Sequence, residues 1–216
     1  MSNEQVVRYY AKSVATAGQA YDKPERQEDL AELREQVMEL LDGHIVLELA
    51  CGDGYWTSVL AETADSVLAT DINPAMIAAA EARRLAADKV RFRIADGLDL
   101  PADIGEFTAV FAGFFWSHLR RDEQDQLLAQ LRKRLGKDVL LVLVDDVYVE
   151  GSSESIARTD AEGTTWQILN TADGERFEIP KSYPSDSALR KRLASSVREI
   201  KIARLEYYWL LTCRLK

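Results

Sequence analysis

Apolar residues recur along this chain with two spacings that take turns, and the alternation lays out its elements. Residues 46–50 carry four apolar side chains in five positions and read as a buried strand. The small-residue turn Ala50-Cys51-Gly52-Asp53-Gly54 follows at once, then a helix from about Tyr55 to Thr63. Upstream, residues 4–20 and 25–42 show helical spacing, the second stopping at Gly43. Downstream come a strand over 66–70 and a helix opened by Asn73-Pro74, where proline suits the first turn. That helix is expected to run through the alanine-rich stretch to Ala87. Strands over 90–95 and 107–112, a helix over 121–135 closed by Gly136, and a strand over 138–144 complete the series. The last strand, apolar on both faces, suits the centre of a parallel sheet. The βαβα rhythm predicts an α/β fold, a doubly wound, mostly parallel sheet with helices on both faces.

After Val149 the rhythm changes. Residues 151–163, rich in Gly, Ser, Asp and Glu, read as an exposed loop. Residues 164–171 and 176–181 then flank Asp173-Gly174, a strong turn signal, and form a hairpin. Residues 185–196 make a short amphipathic helix. The final 197–206 and 207–216 are two strands with no helix-length segment between them, so they pair antiparallel.

Composition narrows the function without naming it. At 216 residues the chain reads as one domain, with 1–43 as a helical cap and 151–184 as a loop and hairpin. A net charge of −9 argues against a nucleic-acid partner, which would need concentrated Lys and Arg. The start of the chain lacks the layout of a signal peptide, and no apolar run is long enough for a membrane span. The two cysteines, Cys51 and Cys213, read as small buried residues of a reducing compartment, so a cytoplasmic location is expected.

A strand, a glycine turn and a helix N-terminus together present backbone N–H groups to a ligand with polar or anionic parts. Glu48, an acid inside the apolar run, marks the segment as more than structural. A nicotinamide dinucleotide is the competing ligand, but its third glycine position is Thr57 here, and Asp53 would repel a pyrophosphate. Asp71, ending the second strand, can accept both hydroxyls of a ribose. No metal is signalled: His44 and His118 are far apart and lack Cys or His companions at ligand spacing.

These residues resemble the class I S-adenosylmethionine (SAM)-dependent methyltransferases. The resemblance rests on Glu48-x-Ala50-x-Gly52-x-Gly54, Asp71, Asp96 and the terminal antiparallel pair, with Ala50 where glycine is more usual. Within that family, residues 54–57 and the pattern from Asp173 to Leu189 look like small bacterial O-methyltransferases of natural-product pathways. The resemblance implies a seven-stranded sheet of order 3-2-1-4-5-7-6 with strand 7 antiparallel. It implies SAM as cofactor, held by Tyr21, Glu48, Ala50, Gly52, Gly54, Asp71, Ile72, Met76, Asp96, Gly97 and Ala112. Asp71 would take the ribose and Asp96 the adenine amino group, while Glu48 either orients the loop or meets the ligand's ammonium.

The acceptor is expected to be a small molecule methylated at oxygen, acidic or hydroxylated, with no nucleic acid and no membrane as partner. A hydroxyl would need a general base, for which His118 stands after the fourth strand; an acid would need cations instead. Tyr10, Phe115, Arg176 and Lys181 are the expected acceptor contacts, with Asp145 and Asp146 also facing the cleft. His118 reads equally well as a structural histidine, and the two cations as solvated hairpin residues. A binding protein without catalysis and a protein or RNA methyltransferase are the remaining alternatives.

Overall fold

The computed structural model describes residues 3–216. Its main sheet is built from β1 (Ile45–Leu49), β2 (Ser66–Asp71), β3 (Val90–Ile94), β4 (Ala109–Gly113) and β5 (Leu140–Asp146). A smaller sheet holds β6 (Arg158–Thr159), β7 (Thr165–Asn170) and β8 (Arg176–Pro180). The terminal pair, β9 (Val197–Arg204) and β10 (Tyr208–Leu215), returns to the main sheet. The order there is β3-β2-β1-β4-β5-β10-β9, with β1 to β5 paired in parallel and β10 antiparallel to both neighbours. This is the expected seven-stranded order, with β9 and β10 as its strands 6 and 7.

Alternation along the strands feeds two cores. Leu141 and Leu143 of β5 face one side, with Leu127, Leu128 and Leu131 of α5 (Arg121–Leu135) and Leu189 and Leu193 of α6 (Asp186–Leu193). Val142 and Val144 face the other, with α2 (Gln27–Leu41) and α3 (Tyr55–Thr63). On α2 the buried residues are Leu30, Leu33, Val37 and Leu41, spaced by three or four as a single helical stripe requires. Each such burial contributes about 1.5–3 kcal/mol. On the α2 side α4 (Pro74–Glu81) adds Ile77; Asn73 caps it, its Oδ1 accepting the Ala75 N–H at 3.0 Å.

Three elements differ from the periodicity. The first helix is α1 (Glu4–Lys12) alone; Ser13 ends it, and Val14–Tyr21 follows as a 3-10 helix that folds across the sheet's carboxyl end. The tighter turn suits a stretch with two β-branched residues and Gly18, which a long α-helix disfavours. Helix α4 stops at Glu81 rather than Ala87, because Arg84 takes a left-handed backbone (φ 55°) that turns the chain back toward β3. The segment 151–163 includes the two residues of β6, which pair with Trp166 and Thr165 of β7. The hairpin of β7 and β8 is as expected, in register from Trp166–Pro180 to Asn170–Arg176. Among the described residues no helix is long and apolar enough to cross a membrane.

Candidate active site

The carboxyl ends of β1, β2, β4 and β5 open into a cavity of about 560 Å³, roofed by α1, the 3-10 segment and the small sheet. Such crevices at strand ends are where open α/β sheets bind ligands. Of the residues expected to act, Tyr10, Tyr21, Glu48, Ala50, Gly52, Asp71, Ile72, Met76, Phe115, His118 and Lys181 line this one cavity.

The half beneath β1 and β2 is organised by backbone donors. Asp71 accepts the Gly52 N–H on Oδ2 (3.0 Å) and the Asn73 N–H on Oδ1 (2.8 Å). Burial raises its pKa above the usual range, against the pull of those N–H groups. Glu48 is 1% exposed and accepts the Thr57 hydroxyl at 2.6 Å. Burial pushes its carboxyl up to about 8, with that hydroxyl opposing and the Asp71 charge adding. Ala50 sits at φ 52°, a conformation glycine adopts freely and alanine pays about 1 kcal/mol to hold. Asp53, expected to repel anions, is paired with Arg83 at 2.6 Å. Asn73 spends its oxygen on the α4 cap, and its buried Nδ2 has no partner among the described residues. An orphaned donor two residues from a carboxylate that lines the cavity fits a ligand with vicinal hydroxyls there.

The half under the small sheet is a charged network. Lys181 reaches Asp145 Oδ1 at 3.0 Å and Asp146 Oδ2 at 2.7 Å, with its side chain 8% exposed. Burial works against its charge, but the two carboxylates outweigh it and hold the ammonium above its usual pKa. Arg26, equally buried, bonds Asp146 Oδ1 at 2.9 Å. Burial opposes the Asp146 charge too; Lys181 and Arg26 win and lower its pKa. Asp145 also accepts the Ser117 N–H and hydroxyl (both 2.8 Å) and the Asp146 N–H (2.9 Å).

His118 bridges the small sheet and the cap. Its Nδ1 lies 2.8 Å from the Pro180 carbonyl, which only accepts, so the ring proton is on Nδ1. Burial first, and Lys181 second, push its pKa down to about 4, so the ring is neutral. Its Nε2 therefore accepts the Tyr10 hydroxyl, 2.9 Å away. Phe114 holds a left-handed backbone (φ 57°) at the end of β4, which aims its ring at Tyr21, Tyr208 and Lys181.

Several expected residues lie elsewhere. Arg176 is exposed at the opposite end of β8 and stands outside the cavity wall, because four residues of strand separate it from Lys181. Lys181 is not a solvated hairpin residue but a buried ion-pair partner. Asp96, Gly97, Ala112 and Gly54 are also outside the wall. Asp96 accepts the Leu98 N–H at 2.9 Å, and Gly97 backs onto Phe115, whose ring a Cβ would meet at 3.4 Å. Gly54 is glycine for packing: at φ 82° its Cβ would come within 3.0 Å of Ala80 on α4. The wall also holds Arg26, Trp56, Gln167 and Tyr183, which no local pattern distinguishes from ordinary helix and strand residues.

Comparison with known proteins places this geometry. Residues 46–138 match the family model described as a methyltransferase domain. The chain is similar to DhpI in complex with SAH, 26% identical over 98% of this chain and 96% of DhpI, with a TM-score of 0.77. A DhpI complex with SAM and HEP gives 25% identity over the same shares and a TM-score of 0.76. The PH0226 protein from Pyrococcus horikoshii OT3 is 17% identical over 91% of this chain and 93% of its own, with a TM-score of 0.72, and shares the fold. No curated protein sequence matches the chain.

Proposed function

We propose that the chain, as a class I SAM-dependent methyltransferase, methylates an oxygen that is already anionic, on a small acid held beside Lys181. The observation that carries this reading is the state of the bases around the cavity. His118 Nε2 already holds the Tyr10 hydroxyl, Asp145 accepts four donors, and Asp146 is tied to two cations. None of these three groups is left free to take a proton from a neutral hydroxyl; an acid needs no base, having already lost its proton at neutral pH.

Asp71 and the Gly52 turn would hold the ribose and the amino-acid portion of SAM, with Ile72 and Met76 against the adenine and Tyr21 closing from the cap. When bound, SAM supplies a methyl group activated on a sulfonium. The protein's share is alignment and exclusion of water. Tyr10, Phe115 and the small sheet close the acceptor side, and the volume under them supports a small molecule rather than a polymer. In this proposal residues 1–43 and 151–184 belong to the same catalytic unit as the sheet.

The test is SAH release from short carboxylates and phosphonates against the matching alcohols, with wild type and His118→Asn. Acids should turn over and alcohols should not, and the variant should lose less than about tenfold in kcat. A general base contributes about 10²–10⁴-fold. Turnover of alcohols, abolished in His118→Asn, would replace this reading with base catalysis.

A further inference from the structure

The polar groups of the small-sheet wall differ in how fully the protein uses them. Ser152 Oγ accepts Arg26 Nε and donates to Glu25; Ser153 Oγ accepts the Val149 N–H and donates to the Val147 carbonyl. Gln167, 4% exposed on β7, donates from Nε2 to the Glu154 carbonyl and to the Tyr183 hydroxyl, both at 2.9 Å. The Glu154 carbonyl can only accept, so the amide orientation is settled. Both Nε2 hydrogens are thereby used, while Gln167 Oε1 is not among the sealed, unpartnered atoms of the described residues and is left to face the cavity that Gln167 lines. Tyr183 receives a hydrogen bond, so its own phenolic hydrogen is unspent, while Tyr148 packs edge-on against the ring at 5.2 Å. Gln167 and Tyr183 line the cavity together with Lys181.

We propose that Gln167 and Tyr183 form a second recognition point for the methyl acceptor, reading a hydroxyl on the acid that Lys181 holds. A hydroxyl accepts from the Tyr183 O–H and donates to Gln167 Oε1 at once, which neither a methyl nor a second carboxylate does. An acceptor lacking it covers the Gln167 oxygen without giving it a partner. This rests on the methyltransferase reading and makes Tyr183 a specificity residue rather than a catalytic one.

The experiment is calorimetric titration of SAH-loaded protein with butyrate against 4-hydroxybutyrate, and propylphosphonate against 3-hydroxypropylphosphonate. The hydroxylated member of at least one pair should bind about tenfold tighter, the worth of one good hydrogen bond. Tyr183→Phe should reduce that preference to about twofold or less, and Gln167→Met, which removes the accepting oxygen at similar volume, should also reduce it. Neither should change SAH affinity. Equal heats within both pairs, including no binding by any member, or a preference that survives Tyr183→Phe, would overturn the proposal. Failure of wild type to bind SAH would instead strike at the methyltransferase reading.

Discussion

Glu48 is a carboxyl whose burial works against it, and replacing it with glutamine should make the protein more stable. The folded state holds this proton up to about pH 8, while the unfolded chain releases it near 4.5. Between those values the folded state binds more protons, so stability falls as pH rises. At about 1.36 kcal/mol per pH unit, moving a carboxyl from 4.5 to about 8 costs up to about 5 kcal/mol above pH 8 and under 1 kcal/mol at pH 5. Glu48→Gln has no proton to lose, and its amide oxygen can still accept the Thr57 hydroxyl, now 2.6 Å from Glu48. Urea unfolding at pH 5 and pH 8 measures the effect. The variant should match wild type within about 1 kcal/mol at pH 5 and exceed it by several kcal/mol at pH 8, about 2–4 °C of Tm per kcal/mol for a chain this long. An equal difference at both pH values, or a variant weaker at pH 8, would refute the assignment of Glu48 as a buried acid without a compensating cation.

Two further outcomes follow from the site. Asp71→Ala should weaken SAH by about 100-fold in calorimetry, since two hydrogen bonds to a charged group are worth about 3 kcal/mol or more; undiminished affinity would remove the ribose role. Lys181→Met leaves Asp145 and Asp146 facing each other's charge. It should cost about 3 kcal/mol, the low end for breaking a buried pair, because Asp146 keeps Arg26 and Asp145 keeps Ser117. Adding Asp145→Asn should restore part of the lost Tm in thermal melts, and no recovery would mean that the charge pairing is not the cause.

The order of elements, the parallel sheet and the cofactor-side residues were legible because they depend on local rules. A buried parallel strand must be apolar, a glycine turn must precede the helix, and an acid at the end of β2 reaches the backbone of the neighbouring glycine turn. Asp71, Gly52 and Glu48 therefore stand where their spacing put them. Gly54 was legible as glycine but not for its reason, since the contact with Ala80 joins segments 26 residues apart in sequence. The hairpin was legible from Asp173-Gly174, yet Arg176 and Lys181 are alike on paper, and only the folded chain buries Lys181 on the carboxylates ending β5 while leaving Arg176 exposed.

What the sequence by itself determined is the scaffold and the kind of cofactor, through hydrophobic period, turn chemistry and one strand-end acid. What only the tertiary structure decided is which polar groups meet around the cavity. Charges and hydrogen bonds act over a few ångströms, and the groups that matter here come from distant segments: Tyr10 meets His118, Arg26 meets Asp146, and Gln167 meets Tyr183. Until the chain is folded, nothing distinguishes a base that is free from one whose lone pair is already taken.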